Sequence, residues 1–213
     1  MARLIAGGVL ALLIHGIGAA AQQPLPRILP GSDGSVRYYI ADGLQRAKYV
    51  TGDEDFVRWA FAEWERASEG AIRFRPSGNE GEATVRVYWL PWNRKVRNVG
   101  ETRRYLSLQR LIADIFLHPD PRGMGPVFEQ AIKQDPMLRN VIVQFAALHE
   151  VGHALGLSSS TNPQDVMAER RTVSLQSVRA LRKQVPDRPS LEKAAWLSPA
   201  DVKRIRALYP ARP

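Results

Sequence analysis

The sequence contains no cysteine. That excludes a disulfide framework, thiolate-ligated zinc or iron–sulfur sites, a thiol nucleophile and a lipid-modified N-terminal cysteine. Any metal must therefore be held by His, Asp, Glu or neutral oxygen donors. Histidine is scarce too, at 4 residues in 213, so histidines that cluster carry information. Long apolar runs are missing apart from residues 4–21, which include four glycines and His15 and make a poor membrane span. With Arg3 ahead of the run and Ala19-Ala20-Ala21 before Gln22, residues 1–21 read as a cleaved secretory signal. The expectation is a secreted or periplasmic chain with no stable membrane anchor. Such a chain draws its stability from its core or from a metal. Aromatic residues make up only 8% and are not interleaved with the basic ones, so no specific nucleic-acid partner is expected.

What is present is a chain with 45% hydrophobic residues, 24% charged residues and a formal net charge of +9. That apolar share builds a core, and the length fits one domain. Residues 22–35, rich in Pro, Gly and Ser, read as an extended leader. The domain proper is expected over 36–213. Residues 36–40 (VRYYI), 71–74 (AIRF), 83–90 (ATVRVYWL), 103–108 and 111–117 (LIADIFL) have strand character. After the first strand, Asp53 is the expected N-cap of a helix. There Phe56, Trp59, Ala60, Glu63 and Trp64 recur at helical spacing, and Gly70 follows the end. Trp59, Trp64, Trp89, Trp92 and Trp196 read as core and cleft packing.

Beyond His118-Pro119-Asp120-Pro121 a Gly/Pro loop is expected, then a long helix with Asp135 as cap and Pro136 in its first turn. Its apolar side carries Leu138, Ile142, Phe145, Leu148 and Gly152, and Gly156 ends it. Residues 174–185 fit a short basic helix. Ser198-Pro199 opens a last helix with Val202, Ile205 and Leu208 inward. The order strand, helix, strands, helix, helix fits an α+β or α/β domain.

The residues that carry chemistry are His149-Glu150-Val151-Gly152-His153. Positions four apart on a helix share a face, so both imidazoles can reach one ion. Neutral imidazole suits zinc, which acidifies its bound water toward a pKa of about 7. Glu150 sits about 100° round the helix from His149, placed to take a proton from that water. The competing reading is two satisfied histidines on an ordinary helix. Against it, two of the chain's few histidines fall at this spacing with a glutamate in the required slot.

The run LHEVGHALGL at 148–157 resembles the active-site helix of matrixins, the matrix-metalloprotease-like branch of the metzincins. Asn162-Pro163-Gln164-Asp165-Val166-Met167 is similar to that family's loop into the Met-turn, with Met167 as the methionine beneath the metal. Leu197-Ser198-Pro199-Ala200-Asp201-Val202, with Ile205, Leu208 and Tyr209, resembles its C-terminal helix. Looser matches at Gly100-Glu101-Thr102 and Ala113-Asp114-Ile115 extend the resemblance over most of 36–210. It implies an α+β metzincin-like zincin: a twisted, mostly parallel sheet with an antiparallel edge strand, packed on the active-site helix, and a small C-terminal subdomain with one terminal helix. It also implies a monomeric zinc endopeptidase acting on protein or peptide, with His149 and His153 as ligands and Glu150 as base. The substrate would pair with an edge strand, expected at 111–117.

Two departures stand out. The third ligand position of the metzincin pattern is Ser159, and Met167 is followed by Ala168-Glu169 where proline is usual. A hydroxyl is a poor zinc ligand at neutral pH. The replacements considered are Asp165, His118 and an extra water, with Asp165 foremost. Asp165 is otherwise a turn residue, and His118 otherwise a loop histidine. Glu169 offers a gluzincin-like alternative. Residues 170–193 form a basic insertion, with Arg170, Arg171, Arg179, Arg182, Lys183, Arg188 and Lys193 against Asp187 and Glu192. It either steers acidic substrates or is a solvated helix and loop. The alternative function is a metzincin-like binding module with a degenerate metal site.

Overall fold

The computed structural model describes residues 27–92, 98–169 and 174–210. The signal at 1–21, the first part of the leader and residues Arg170 and Arg171 of the insertion lie outside the described residues. Five strands form one sheet: β1 (Ser35–Ile40), β2 (Arg73–Pro76), β3 (Val85–Trp89), β4 (Gly100–Ser107) and β5 (Arg110–Leu117), in the order β2-β1-β3-β5-β4. The first four in that order run parallel, and β4 runs antiparallel to β5. The fold is α+β, as the sequence implies.

The edge is not where the sequence reading puts it. Residues 111–117 fall in β5, which lies between β3 and β4. The outer strand on this side of the sheet is β4, with β2 at the opposite edge. Burial explains the difference: β5 buries Leu111, Ile112, Ala113, Ile115 and Leu117, a nearly continuous apolar run typical of a strand covered on both faces. β4 leaves Arg103, Tyr105 and Leu106 exposed, as an edge strand does.

Six helices accompany the sheet among the described residues: α1 (Asp53–Ala67), α2 (Pro126–Gln134), α3 (Met137–Leu155), α4 (Leu175–Arg182), α5 (Ser190–Lys193) and α6 (Pro199–Leu208). α2 replaces the expected loop, with Pro126 in its first turn, where a missing N–H costs nothing. Asp53 is the first residue of α1 rather than its cap, which is Gly52. Its buried carboxylate instead accepts from Arg139 of α3 at 2.6 and 2.9 Å. The predicted strand at 71–74 is shifted to β2. α1 and α3 pack against each other through Trp64, whose indole N–H donates to Leu148 O at 2.9 Å. Phe61 lies 4.5 Å from the rings of both Tyr38 and Phe74, joining α1 to the sheet. Among the described residues no helix is long and apolar enough to cross a membrane.

Candidate active site

α3 presents its chemistry from a buried face. His149, Glu150 and Gly152 are buried and His153 is half-buried. The two imidazole rings stand 4.5 Å apart between centroids with planes at 87°. Nδ1 of His149 is 2.8 Å from Val166 O, and Nδ1 of His153 is 2.8 Å from Leu157 O. A carbonyl only accepts, so each Nδ1 is the donor, which leaves Nε2 as the nitrogen that can ligate. Two imidazoles with Nδ1–H held by backbone oxygen form a donor pair that suits zinc. Gly156, at φ 114°, ends the helix in the left-handed conformation and turns the chain so that Leu157 O meets His153.

Beneath the rings lies the loop that supplies Val166. Met167 is fully buried, and a Cβ on Gly152 would sit 2.3 Å from its Sδ and 3.0 Å from Trp64 Cζ2. Only glycine admits that approach. Val166 is held at both polar ends: its O accepts from His149, and its N–H donates to Asp201 Oδ2 at 2.7 Å. Asp201 also completes the capping box of α6 with Ser198. The terminal helix thus fixes the loop on which His149 leans.

Glu150 faces the edge strand. Its Oε2 accepts from Thr102 Oγ1 at 2.7 Å, and the same hydroxyl is 2.9 Å from Glu150 O. A Cβ at Gly100 would lie 2.5 Å from Glu150 Cγ and 2.9 Å from Oε1. Beside these residues opens a pocket of about 80 Å³, bordered by Gly100, His149 and Glu150 and walled by Phe145 of α3 and by Val178 and Leu181 of α4. The pocket is mostly apolar, with a carboxylate and an imidazole at one side.

The sequence model of the Matrixin family matches residues 33–210. The chain belongs to the matrixin family. Among solved structures, archaemetzincin from Methanopyrus kandleri is similar at 14% identity, covering 82% of this chain and 94% of that one, with a TM-score of 0.46. No curated protein sequence matches. Matrixins are zinc-dependent peptidases, so at the level of the family this chain is a zinc metallopeptidase.

The matrixin helix brings His149, Glu150 and His153 together with Met167 below them. The other candidates are placed differently. Ser159, at the third ligand position, is exposed. Asp165 is buried, and its carboxylate accepts from Ser160 Oγ at 2.6 Å, Asn162 Nδ2 at 2.9 Å and Ser198 Oγ at 2.7 Å, which makes it the clasp of the loop. His118 is buried at the end of β5, with Nδ1 3.2 Å from Pro91 O and its ring edge-on to Trp92. Glu169 is exposed, and its N–H donates to Ser160 O. Among the described residues no cluster of three His, Asp or Glu side chains is set to hold a metal ion. In the insertion, Arg182 pairs with Asp135 at 2.8 Å, and Arg188 donates to Gly52 O and stacks over Phe56. Arg179, Lys183 and Lys193 stay exposed. The sequence reading assigned no role to Thr102 or Asp201. The only signal for them was their place in the family-like GET and LSPAD runs.

Proposed function

We propose that this matrixin is a secreted or periplasmic zinc-dependent endopeptidase, with His149 and His153 as metal ligands and Glu150 as general base. The observation that carries the reading is the pair of imidazoles whose Nδ1 protons are both held by backbone carbonyls, with Glu150 on the adjoining wall of an apolar pocket. The ion, when bound, supplies Lewis acidity toward water and toward a peptide carbonyl.

The protein's own groups do the rest. An extended peptide pairs with the outer edge of β4 by strand addition, and one apolar side chain enters the pocket under α4. Glu150 takes the proton of the attacking water as the new C–O bond forms. It delivers that proton to the amine nitrogen as the C–N bond breaks. Secretion rests on the charged, apolar and small-residue sections of residues 1–21.

Glu150→Ala keeps zinc and fold and loses about 10²–10⁴-fold in peptidase activity on an unstructured protein. An active Glu150→Ala variant removes Glu150 from the base role. One observation favours the second reading, a binding module with a degenerate metal site: the exposed Ser159 at the third ligand position, with no three-residue cluster among the described residues. A protein that holds no zinc and cleaves no peptide establishes it.

A further inference from the structure

We infer that Thr102 is a positioning residue for Glu150: its hydroxyl clamps the carboxylate in one orientation against the edge strand. The inference rests on the peptidase reading for its kinetic consequence and on geometry alone for the clamp. Thr102 Oγ1 lies 2.7 Å from Oε2 and 2.9 Å from the backbone O of the same glutamate. The hydroxyl has one proton to donate, and the shorter distance assigns it to Oε2, with the backbone O of the same residue as the alternative acceptor. Gly100, two residues earlier on the same side of β4, lets the strand approach so closely that any Cβ there would meet Glu150 Cγ at 2.5 Å. Strand and glutamate form one unit.

The clamp divides the work of the two oxygens. Oε2 accepts the Thr102 hydrogen bond, while Oε1 lies over Gly100, which borders the pocket. The oxygen that takes a proton from water is thus presented by a carboxylate whose partner oxygen is already engaged. The same strand is the edge on which an extended peptide pairs, so β4 sets substrate backbone and base in one register. Neither residue touches the reacting atoms. Thr102 acts through Glu150, and groups that orient a reacting residue in this way are worth about 10–100-fold in activity.

The test uses the intact protein and the variants Thr102→Val, Thr102→Ser, Glu150→Ala and the Thr102→Val/Glu150→Ala double variant. Peptide hydrolysis, zinc content and the thermal midpoint of metal-free protein are measured on each. Thr102→Val is expected to lose about 10–100-fold in kcat, with KM and zinc content within about twofold of wild type. Thr102→Ser, which keeps the hydroxyl, regains most of kcat. In metal-free protein, Thr102→Val is expected to lower the midpoint clearly less in Glu150→Ala than in the wild-type background, because the carboxylate is gone and only the backbone O of residue 150 remains as acceptor. A wild-type kcat in Thr102→Val, a Ser variant no better than Val, or strictly additive midpoint losses overturn the inference. If wild type binds zinc but cleaves no peptide, the peptidase reading fails, and the midpoints still decide the clamp.

Discussion

Gly152 lies between the two histidines of the motif, and its missing side chain is what brings the Met167 loop up to the site. The Met167 sulfur occupies the space a Cβ would need. Gly152→Ala forces that loop down and is expected to cost about 1–3 kcal/mol of stability, the usual penalty of overpacking. It also weakens zinc binding, because Val166, the acceptor for His149, moves with Met167. Denaturant unfolding and zinc titration check both, and an unchanged variant shows that the loop does not set the histidine. This part of the site was legible in the sequence because its spacing is local: His149, Glu150, Gly152 and His153 fall within a turn and a half of one helix. The role of Asp165 was not legible. It depends on Ser198, 33 residues further on, and no local pattern announces that meeting. The same holds for Thr102, 48 residues from Glu150.

At the scale of elements, α6 was readable from its cap and α3 from its apolar spacing and Gly156, and each begins within two residues of its expected start. Asp135, expected to cap α3, instead ends α2, and Pro136 is the N-cap of α3. The strand order was not readable, since runs of similar apolar content occupy edge and interior alike. The useful clue was the contrast between LIADIFL and the polar RRYLS beside it. α6 secures the end of α3 through the residue that follows it. Tyr209 is buried, and its hydroxyl lies 2.8 Å from Leu155 O and 2.9 Å from Ile28 O, covering a carbonyl that the end of α3 leaves open. Burial raises the Tyr209 phenol above its ordinary value. A group whose folded pKa is raised contributes stability that is complete below its unfolded pKa, about 10 for tyrosine, and lost as pH climbs past it. Stability is therefore expected to fall above about pH 10. Tyr209→Phe should cost about 1–2 kcal/mol at neutral pH and make the alkaline fall shallower. Denaturant midpoints against pH measure it, and an alkaline slope equal to wild type contradicts the assignment.

Over the whole molecule, the site lies where three parts of the chain converge: the edge strand carrying Gly100 and Thr102, the helix carrying His149, Glu150 and His153, and the Met167 loop held by α6. The basic insertion adds α4 as the outer wall of the pocket and spends Arg182 and Arg188 on contacts within the fold. The central claim is that two imidazoles of α3, aligned by backbone carbonyls, suffice with water to hold a zinc ion although the third ligand position is Ser159. Zinc content after equilibrium dialysis at neutral pH tests this most directly, measured on the wild type and on His149→Ala and His153→Ala. The account predicts about one zinc per chain in the wild type and none in either variant. A wild-type protein that stays metal-free in excess zinc, or a variant that keeps its zinc, contradicts it.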